Sequence, residues 1–515
     1  MTKSFDGDDH DWSSYLEAIL RARVYDLAVE TPLDFAPTLS EKVGNSVYLK
    51  REDLQPVFSF KIRGAYNKIA SLSASEKSQG IIATSAGNHA QGVAMSAKHL
   101  GISAVIVMPI TTPRIKVDAV KRLGAEVILS GVSYDDAKSH AEHVAEDRNL
   151  TYVHPFDDPH VIAGQGTIAL EIFRQTQEKI DAVFVSVGGG GLISGVAAYI
   201  KSLWPEVKVI GVEPSEAPTM YESLRCDERV MLSYVGGFAD GVAVKQVGSR
   251  CFSIAKDCVD EMVLVSTDEI CAAIRDIFDD TRSIAEPAGA LGVAGLKKYC
   301  NVHGKKGENY VAINCGANVN FDKLRYIAER AETGENREVL LAVTIDESPG
   351  TLKKFCEVIG KRSITEFNYR YSDRRNASIF VGLEVFGGIE ARHALVNELR
   401  DDGFRVVDIT DNELAKLHIR YMVGGRPSEF EMDEAIYRFE FPEQPGALLH
   451  FLSQIGKSWN ISMFHYRNHG ASVGRVLVGL QVPEGHADRI ADFLDRVGYQ
   501  CIDETENPAY SFFLA

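Results

Sequence analysis

Between residues 47 and 314, short runs of continuous apolar residues alternate with stretches of helical spacing, and few folds accept that pattern. Residues 81–84, 104–108, 126–129, 182–187, 207–212 and 310–314 read as strands, with helical patterns such as 115–123 and 161–173 between them. A strand that is apolar on both faces must be covered on both. The expected fold class is therefore α/β: open, mostly parallel sheets flanked by helices. Such sheets place ligands at the carboxyl ends of their strands. At 515 residues the chain exceeds one core, so several domains are expected.

The pattern changes near residue 330. Residues 331–337 (Ala331-Glu332-Thr333-Gly334-Glu335-Asn336-Arg337) read as a linker, and a repeat follows. Ser348-Pro349-Gly350-Thr351-Leu352 is echoed by Gln444-Pro445-Gly446-Ala447-Leu448. Phe367-Asn368-Tyr369-Arg370 is echoed by Phe464-His465-Tyr466-Arg467, and Gly403-Phe404 by Gly498-Tyr499. Each copy reads strand, Pro-Gly turn, helix, strand, strand, helix, strand, the order of a ferredoxin-like split βαβ. The expected division is a catalytic domain over 1–330 and two repeats over 338–411 and 433–507. Neither repeat holds a cluster suited to chemistry, which points to binding or regulation.

A formal charge of −17 argues against nucleic acid and anionic membrane as partners. No run approaches the roughly 18 apolar residues of a membrane span. The acidic start lacks a signal-peptide core or Arg-rich transit pattern, so the expected location is cytoplasmic. The eight cysteines contain no Cys-x-x-Cys pair, and Cys251, Cys258 and Cys271 lack zinc-ligand spacing.

Against that background one lysine stands out. Ser59-Phe60-Lys61-Ile62-Arg63-Gly64-Ala65 follows a turn at Gln55-Pro56 and opens a helical pattern. With Ser59 as N-cap, Lys61 falls in the first helical turn. There the helix dipole disfavours a cation and should lower the pKa of the amine, leaving more of its nucleophilic form.

Three strand ends could hold a ligand for it. Thr84-Ser85-Ala86-Gly87-Asn88-His89 opens a helix and forms a nest of N–H groups suited to a carboxylate, or alternatively a tight turn. Ser186-Val187-Gly188-Gly189-Gly190-Gly191-Leu192 lets main-chain amides approach a phosphate. A dinucleotide fingerprint, with Glu213 on the ribose, fits less well because its third glycine falls on Ser194. Cys315 follows the last strand, either facing a site or buried as a small apolar residue. An amine, a phosphate cup and an anion nest together suggest pyridoxal phosphate.

Ser59-Phe60-Lys61, Ser85-Ala86-Gly87-Asn88-His89, Gly188 to Leu192, Ala285-Glu286-Pro287-Ala288-Gly289 and Gly316-Ala317-Asn318-Val319-Asn320 stand in an order that resembles the fold-type II pyridoxal-phosphate enzymes. Among these the chain is similar to the biosynthetic threonine dehydratases, over nearly its whole length, with the repeats as ACT-like regulatory domains. The resemblance implies that Lys61 carries pyridoxal 5′-phosphate as a Schiff base and removes the Cα proton. It places Phe60 near the ring, Asn88 on the 3′-oxygen, and Gly188, Gly189, Gly190, Gly191 and Leu192 on the phosphate. Cys315 stands at the pyridine nitrogen, where these dehydratases usually have serine. Ser85, Gly87 and His89 belong to the loop receiving the substrate carboxylate, and Asp240, Gly241 and Glu286 lie near the ring. Tyr369 and Tyr466 mark effector sites.

The implied reaction turns L-threonine, and also L-serine, into the 2-oxo acid and ammonia in isoleucine biosynthesis. Isoleucine inhibits, valine opposes it, and the chain forms a homotetramer. The segment 213–219 resembles the metal-binding segment of serine racemase, but Thr219 stands where that segment has a carboxylate, so no metal is expected. The alternatives are a serine dehydratase or racemase, threonine synthase, a catalytically dead amino-acid sensor, and a nicotinamide dehydrogenase.

Overall fold

The computed structural model describes residues 12–346, 350–370, 376–417, 419–421, 434–442, 447–455, 460–467, 473–481, 494 and 499–507. The acidic N-terminus, the prolines of both Pro-Gly turns (Pro349 and Pro445) and the expected second helix of the second repeat lie outside the described residues. The chain divides into two compact units, one ending at Ala331 and the other beginning at Glu332.

The first unit holds two sheets. Its strands are β1 (Leu33–Phe35), β2 (Ser46–Arg51), β3 (Ile81–Thr84), β4 (Ala104–Met108), β5 (Glu126–Leu129), β6 (Thr151–Tyr152), β7 (Ala182–Ser186), β8 (Lys208–Pro214), β9 (Glu261–Val265) and β10 (Asn309–Asn314). The larger sheet runs β1-β2-β10-β7-β8-β9 and the smaller β5-β4-β3-β6. Every pairing is parallel except β1 with β2. The continuous apolar strands are explained by cover on both faces. Phe184 and Ala312 pack to one side of the larger sheet with the helix Pro287–His303, while Val183, Val185 and Ile313 pack to the other with the helix Gly191–Leu203. The larger sheet starts before the smaller one and resumes after it, so the chain crosses between them near residues 52–80 and 153–181. Lys61 lies in the first crossing. Helix starts follow local chemistry: Asp158 caps the helix Pro159–Gln175 by accepting from His160 N at 2.8 Å and Val161 N at 3.2 Å.

Among the described residues the second unit holds one antiparallel sheet of eight strands, with helices such as Thr351–Ile359 and Gly388–Asp401. The first repeat supplies β11 (Glu338–Asp346), β12 (Ile364–Arg370), β13 (Asn376–Glu384) and β14 (Arg405–Asp408). The second supplies β15 (Glu434–Pro442), β16 (Asn460–Arg467), β17 (Val473–Gln481) and β18 (Gln500–Asp503). Their order, β14-β11-β13-β12-β16-β17-β15-β18, joins the copies through β12 and β16. One apolar core, including Phe355, Phe367, Phe439, Phe451 and Phe464, serves both copies.

One expectation is corrected. The helix Lys323–Gly334 runs through residues 331–334 of the expected 331–337 linker. Its polar sequence reads as a connector, yet Ala331 is buried in the core of the first unit and Arg330 pairs with Asp268. The helix is followed by Asn336 in the left-handed region at φ 52°.

Candidate active site

The helix Lys61–Ser71 begins at Lys61 itself, but Ser59 is not its cap. Phe60 holds the N-cap position in helical conformation, and the Ser59 hydroxyl is buried without a partner. Main-chain pairing does the positioning instead. Ser59 bridges Gly316, Phe60 N donates to Cys315 O at 3.2 Å, and Ala317 N donates to Phe58 O at 2.9 Å. The lysine start and the end of β10 are thus stitched together. Lys61 Nζ donates to Pro155 O at 2.9 Å. Burial lowers its pKa to about 8, with Cys251, Cys315 and Glu286 pulling the other way. Desolvation, which leaves no mark on the local sequence, is thus the largest cause of the depression.

Two residues on, Arg63 anchors the same helix in a fully buried charge cluster. It reaches Glu52 at 2.7 Å and Glu171 at 2.5 Å, and Lys50 reaches Glu171 at 2.6 Å. Thr31 Oγ1 donates to Glu52 at 2.6 Å and Tyr25 OH to Glu171 at 2.8 Å. Burial pushes the Glu171 carboxyl up, but the Arg63 guanidinium and the Lys50 ammonium outweigh it and hold it below its ordinary range.

One pocket collects Phe60, Lys61, Asn88, Gly188, Gly189, Gly190, Gly191, Leu192, Gly241, Glu286 and Cys315 on its wall. Gly190 sits at φ +100° as N-cap of the helix Gly191–Leu203, with no side chain capping that end. A Cβ on Gly189 would lie 2.3 Å from the Phe156 ring, and one on Gly188 2.9 Å from Val242 Cα. Packing by itself thus requires these glycines. Cys315 Sγ donates to Ser186 Oγ at 3.3 Å, and Ser186 Oγ donates to Ala288 O at 2.9 Å. Burial pushes the Cys315 thiol up to about 12, so it stays neutral. Asn88 Nδ2 donates to Glu286 Oε1 at 2.6 Å, and burial raises Glu286 to about 7.

Other candidates lie elsewhere. Ser85 and Gly87 form the turn before the helix Asn88–Leu100, Gly87 N donating to Ser85 Oγ at 3.2 Å, but neither they nor His89 is on this wall. The His89 imidazole is buried, donates Nε2–H to Val153 O at 2.9 Å, and is pushed by burial down to about 3. Asp240 directs its carboxylate to Lys116 at 2.6 Å, leaving Gly241 to face the pocket. Glu213 accepts from Met220 N and Tyr221 N at 2.8 Å each, so it caps a helix and is not presented to a ribose. Thr219 Oγ1 donates to Val244 O. Among the described residues no group of three or more His, Cys, Asp or Glu side chains is arranged to hold a metal.

Sequence reading missed the wall residues Phe156, Ser186, Val242 and Ala288, and the carbonyl of Pro155. Ser186 and Ala288 stand inside the glycine and Ala285–Gly289 motifs without a role of their own there, whereas Pro155, Phe156 and Val242 sit in no motif and reach the wall only through tertiary approach. In the second unit, Tyr369 pairs with Phe464 and Tyr466 with Phe367 about the Asn368–His465 pair. The two tyrosines are 4% and 9% exposed and pack in the shared core.

These residues fit pyridoxal phosphate: a buried amine with one carbonyl partner, an uncapped helix N-terminus walled by glycines, and a neutral thiol beside both. The class is a fold-type II pyridoxal-phosphate-dependent enzyme. The family model described as "Pyridoxal-phosphate dependent enzyme" matches residues 24–316, and that of the "C-terminal regulatory domain of Threonine dehydratase" matches 329–419 and 425–514. The biosynthetic L-threonine dehydratase of Burkholderia multivorans is 55% identical over 97% of this chain and 99% of its own. That of Escherichia coli is 51% identical over 98% and 97%. Among solved structures, the processed form of threonine deaminase isoform 2 from Solanum lycopersicum is 51% identical, covers 63% of this chain and 89% of its own, and has a TM-score of 0.61. Maize serine racemase is 31% identical over 60% and 95%, with a TM-score of 0.57. The chain belongs to the family of biosynthetic threonine dehydratases.

Proposed function

We propose that this lyase converts L-threonine to 2-oxobutanoate and ammonia by β-elimination, in isoleucine biosynthesis and under feedback by isoleucine. The observation that carries the reading is Lys61: a buried amine at a helix start, its pKa lowered to about 8, facing the glycine turn across one pocket. Bound there, the cofactor supplies an electron sink that acidifies the substrate Cα–H. Lys61 would hold its aldehyde and supply the base for the Cα proton. Main-chain N–H groups at Gly188 to Leu192 take the phosphate, and Asn88 donates to the 3′-oxygen beside Phe60. The Ser85–His89 turn, beside the wall residue Asn88, would receive the substrate carboxylate, and the His89 side chain serves packing. Gly241 and Glu286 close the wall around the reacting carbons.

Assaying 2-oxobutanoate from threonine and pyruvate from serine, with and without isoleucine, tests the whole reading. Threonine turnover suppressed by isoleucine is expected. Racemised serine without keto acid would favour the racemase alternative, and no turnover with bound cofactor would leave the silent sensor. The chain is proposed to work in the cytoplasm as a homotetramer.

Cys315 is assigned to the pyridine nitrogen, where a neutral donor keeps that nitrogen unprotonated. Cys315→Ser should hold kcat within about threefold, whereas Cys315→Asp should lower it at least about tenfold by placing an anion there. An aspartate variant matching the parent in steady-state kinetics would defeat this assignment.

Tyr369 and Tyr466 flank the seam between the repeats, which supports an amino-acid effector site there. Isoleucine is expected to bind the full chain, with valine opposing its inhibition and a coupling to threonine of about 1–3 kcal/mol. Calorimetry checks this: no isoleucine binding to the full chain would remove the assignment. Tyr466→Phe should weaken isoleucine binding in the same calorimetry.

A further inference from the structure

Asn88 faces the pocket with an amide that could point either way, and its direction decides whether the pocket meets a donor or an acceptor. A chain of hydrogen bonds sets it. Asn318 Nδ2 donates to Val57 O at 2.8 Å and to Asn88 Oδ1 at 2.7 Å. Asn88 Nδ2 in turn donates to Glu286 Oε1 at 2.6 Å. A backbone carbonyl only accepts, so the Asn318 atom facing Val57 must be the nitrogen. That nitrogen then requires oxygen from Asn88, which leaves the Asn88 nitrogen toward Glu286 and the pocket.

The far end fits the same direction, because Glu286 when ionised only accepts and so takes the Asn88 nitrogen. The anchor is firm. Val57 is buried, and the next residue, Phe58, holds left-handed backbone at φ 55° with its N–H on Gln55 O and its carbonyl on Ala317 N. Of the two Asn88 Nδ2 hydrogens, one goes to Glu286 and the second is available to an acceptor in the pocket.

We propose that Asn318 is a positioning residue whose amide, anchored on the Val57 carbonyl, directs the Asn88 N–H groups into the cofactor pocket. This rests on the reading of Asn88 as donor to the cofactor 3′-oxygen. Asn318→Asp keeps the shape but presents an acceptor, so Asn88 turns its nitrogen outward and its oxygen to the pocket.

The test is a double-mutant cycle on the full-length chain, stripped of and titrated with pyridoxal phosphate, reading both the dissociation constant and the visible absorption maximum. N318D should weaken cofactor binding about tenfold and move the absorption in the same direction as N88A. In the N88A background it should add less than about twofold, because the two act through one bond. Additive losses, or an unshifted N318D spectrum beside a shifted N88A, would overturn the proposal. N88A with unaltered affinity and spectrum would instead remove the reading of Asn88, and this inference with it. N318A, which deletes the donor without adding an acceptor, gives the same cycle should N318D fail to fold.

Discussion

Lys61→Ala is expected to abolish threonine turnover, by at least about four orders of magnitude, because it deletes the group proposed to hold the cofactor and to take the Cα proton. The fold should not suffer. The Lys61 side chain is half-buried with one carbonyl partner, Pro155 O, and desolvation already disfavours its charge. Replacing it by a methyl group removes a desolvation cost along with one hydrogen bond. Thermal unfolding of the stripped variant should therefore match that of the stripped parent. Measurable 2-oxobutanoate from a folded Lys61→Ala, without an added amine, would defeat the catalytic assignment. A collapse in stability would show instead that the helix start depends on this side chain.

Arg63→Met is expected to produce the largest loss of stability. Lys50, Arg63, Glu52 and Glu171 are all fully buried and together neutral. Removing Arg63 leaves two carboxylates and one ammonium in the interior, and breaking a buried pair in this way costs about 3–5 kcal/mol. Arg63→Lys keeps the charge but cannot span both carboxylates, so a smaller loss is expected. The denaturant midpoint reads both variants. A midpoint for Arg63→Met equal to the parent's would mean the cluster contributes nothing net. Since Arg63 lies in the same first helical turn as Lys61, two residues on, weakened cofactor binding should accompany the loss.

Several features are legible in the residue pattern alone. Strands β3 and β4 sit where continuous apolar runs place them, because burial on both faces leaves a local record. The repeats show as one strand order written twice. The glycine turn can be read because a main-chain anion site needs residues without side chains.

Other features leave no local record. Phe156 meets Gly189 from a segment 33 positions away, and nothing in His154-Pro155-Phe156-Asp157 announces it. His89 and Ser59 stand in motifs whose spacing would make them available, yet the imidazole is spent on Val153 O and the hydroxyl caps nothing.

Residue type and near-neighbour spacing suffice for the fold class, the duplicated C-terminal unit, the lysine and the glycine turn. They do not suffice for the lowering of the Lys61 pKa by burial, the neutral quartet that Arg63 closes, or the turning of the Asn88 amide by Asn318. Each of these requires groups from separate strand ends to meet out of water, where desolvation and hydrogen-bond direction, both invisible along the chain, set the chemistry.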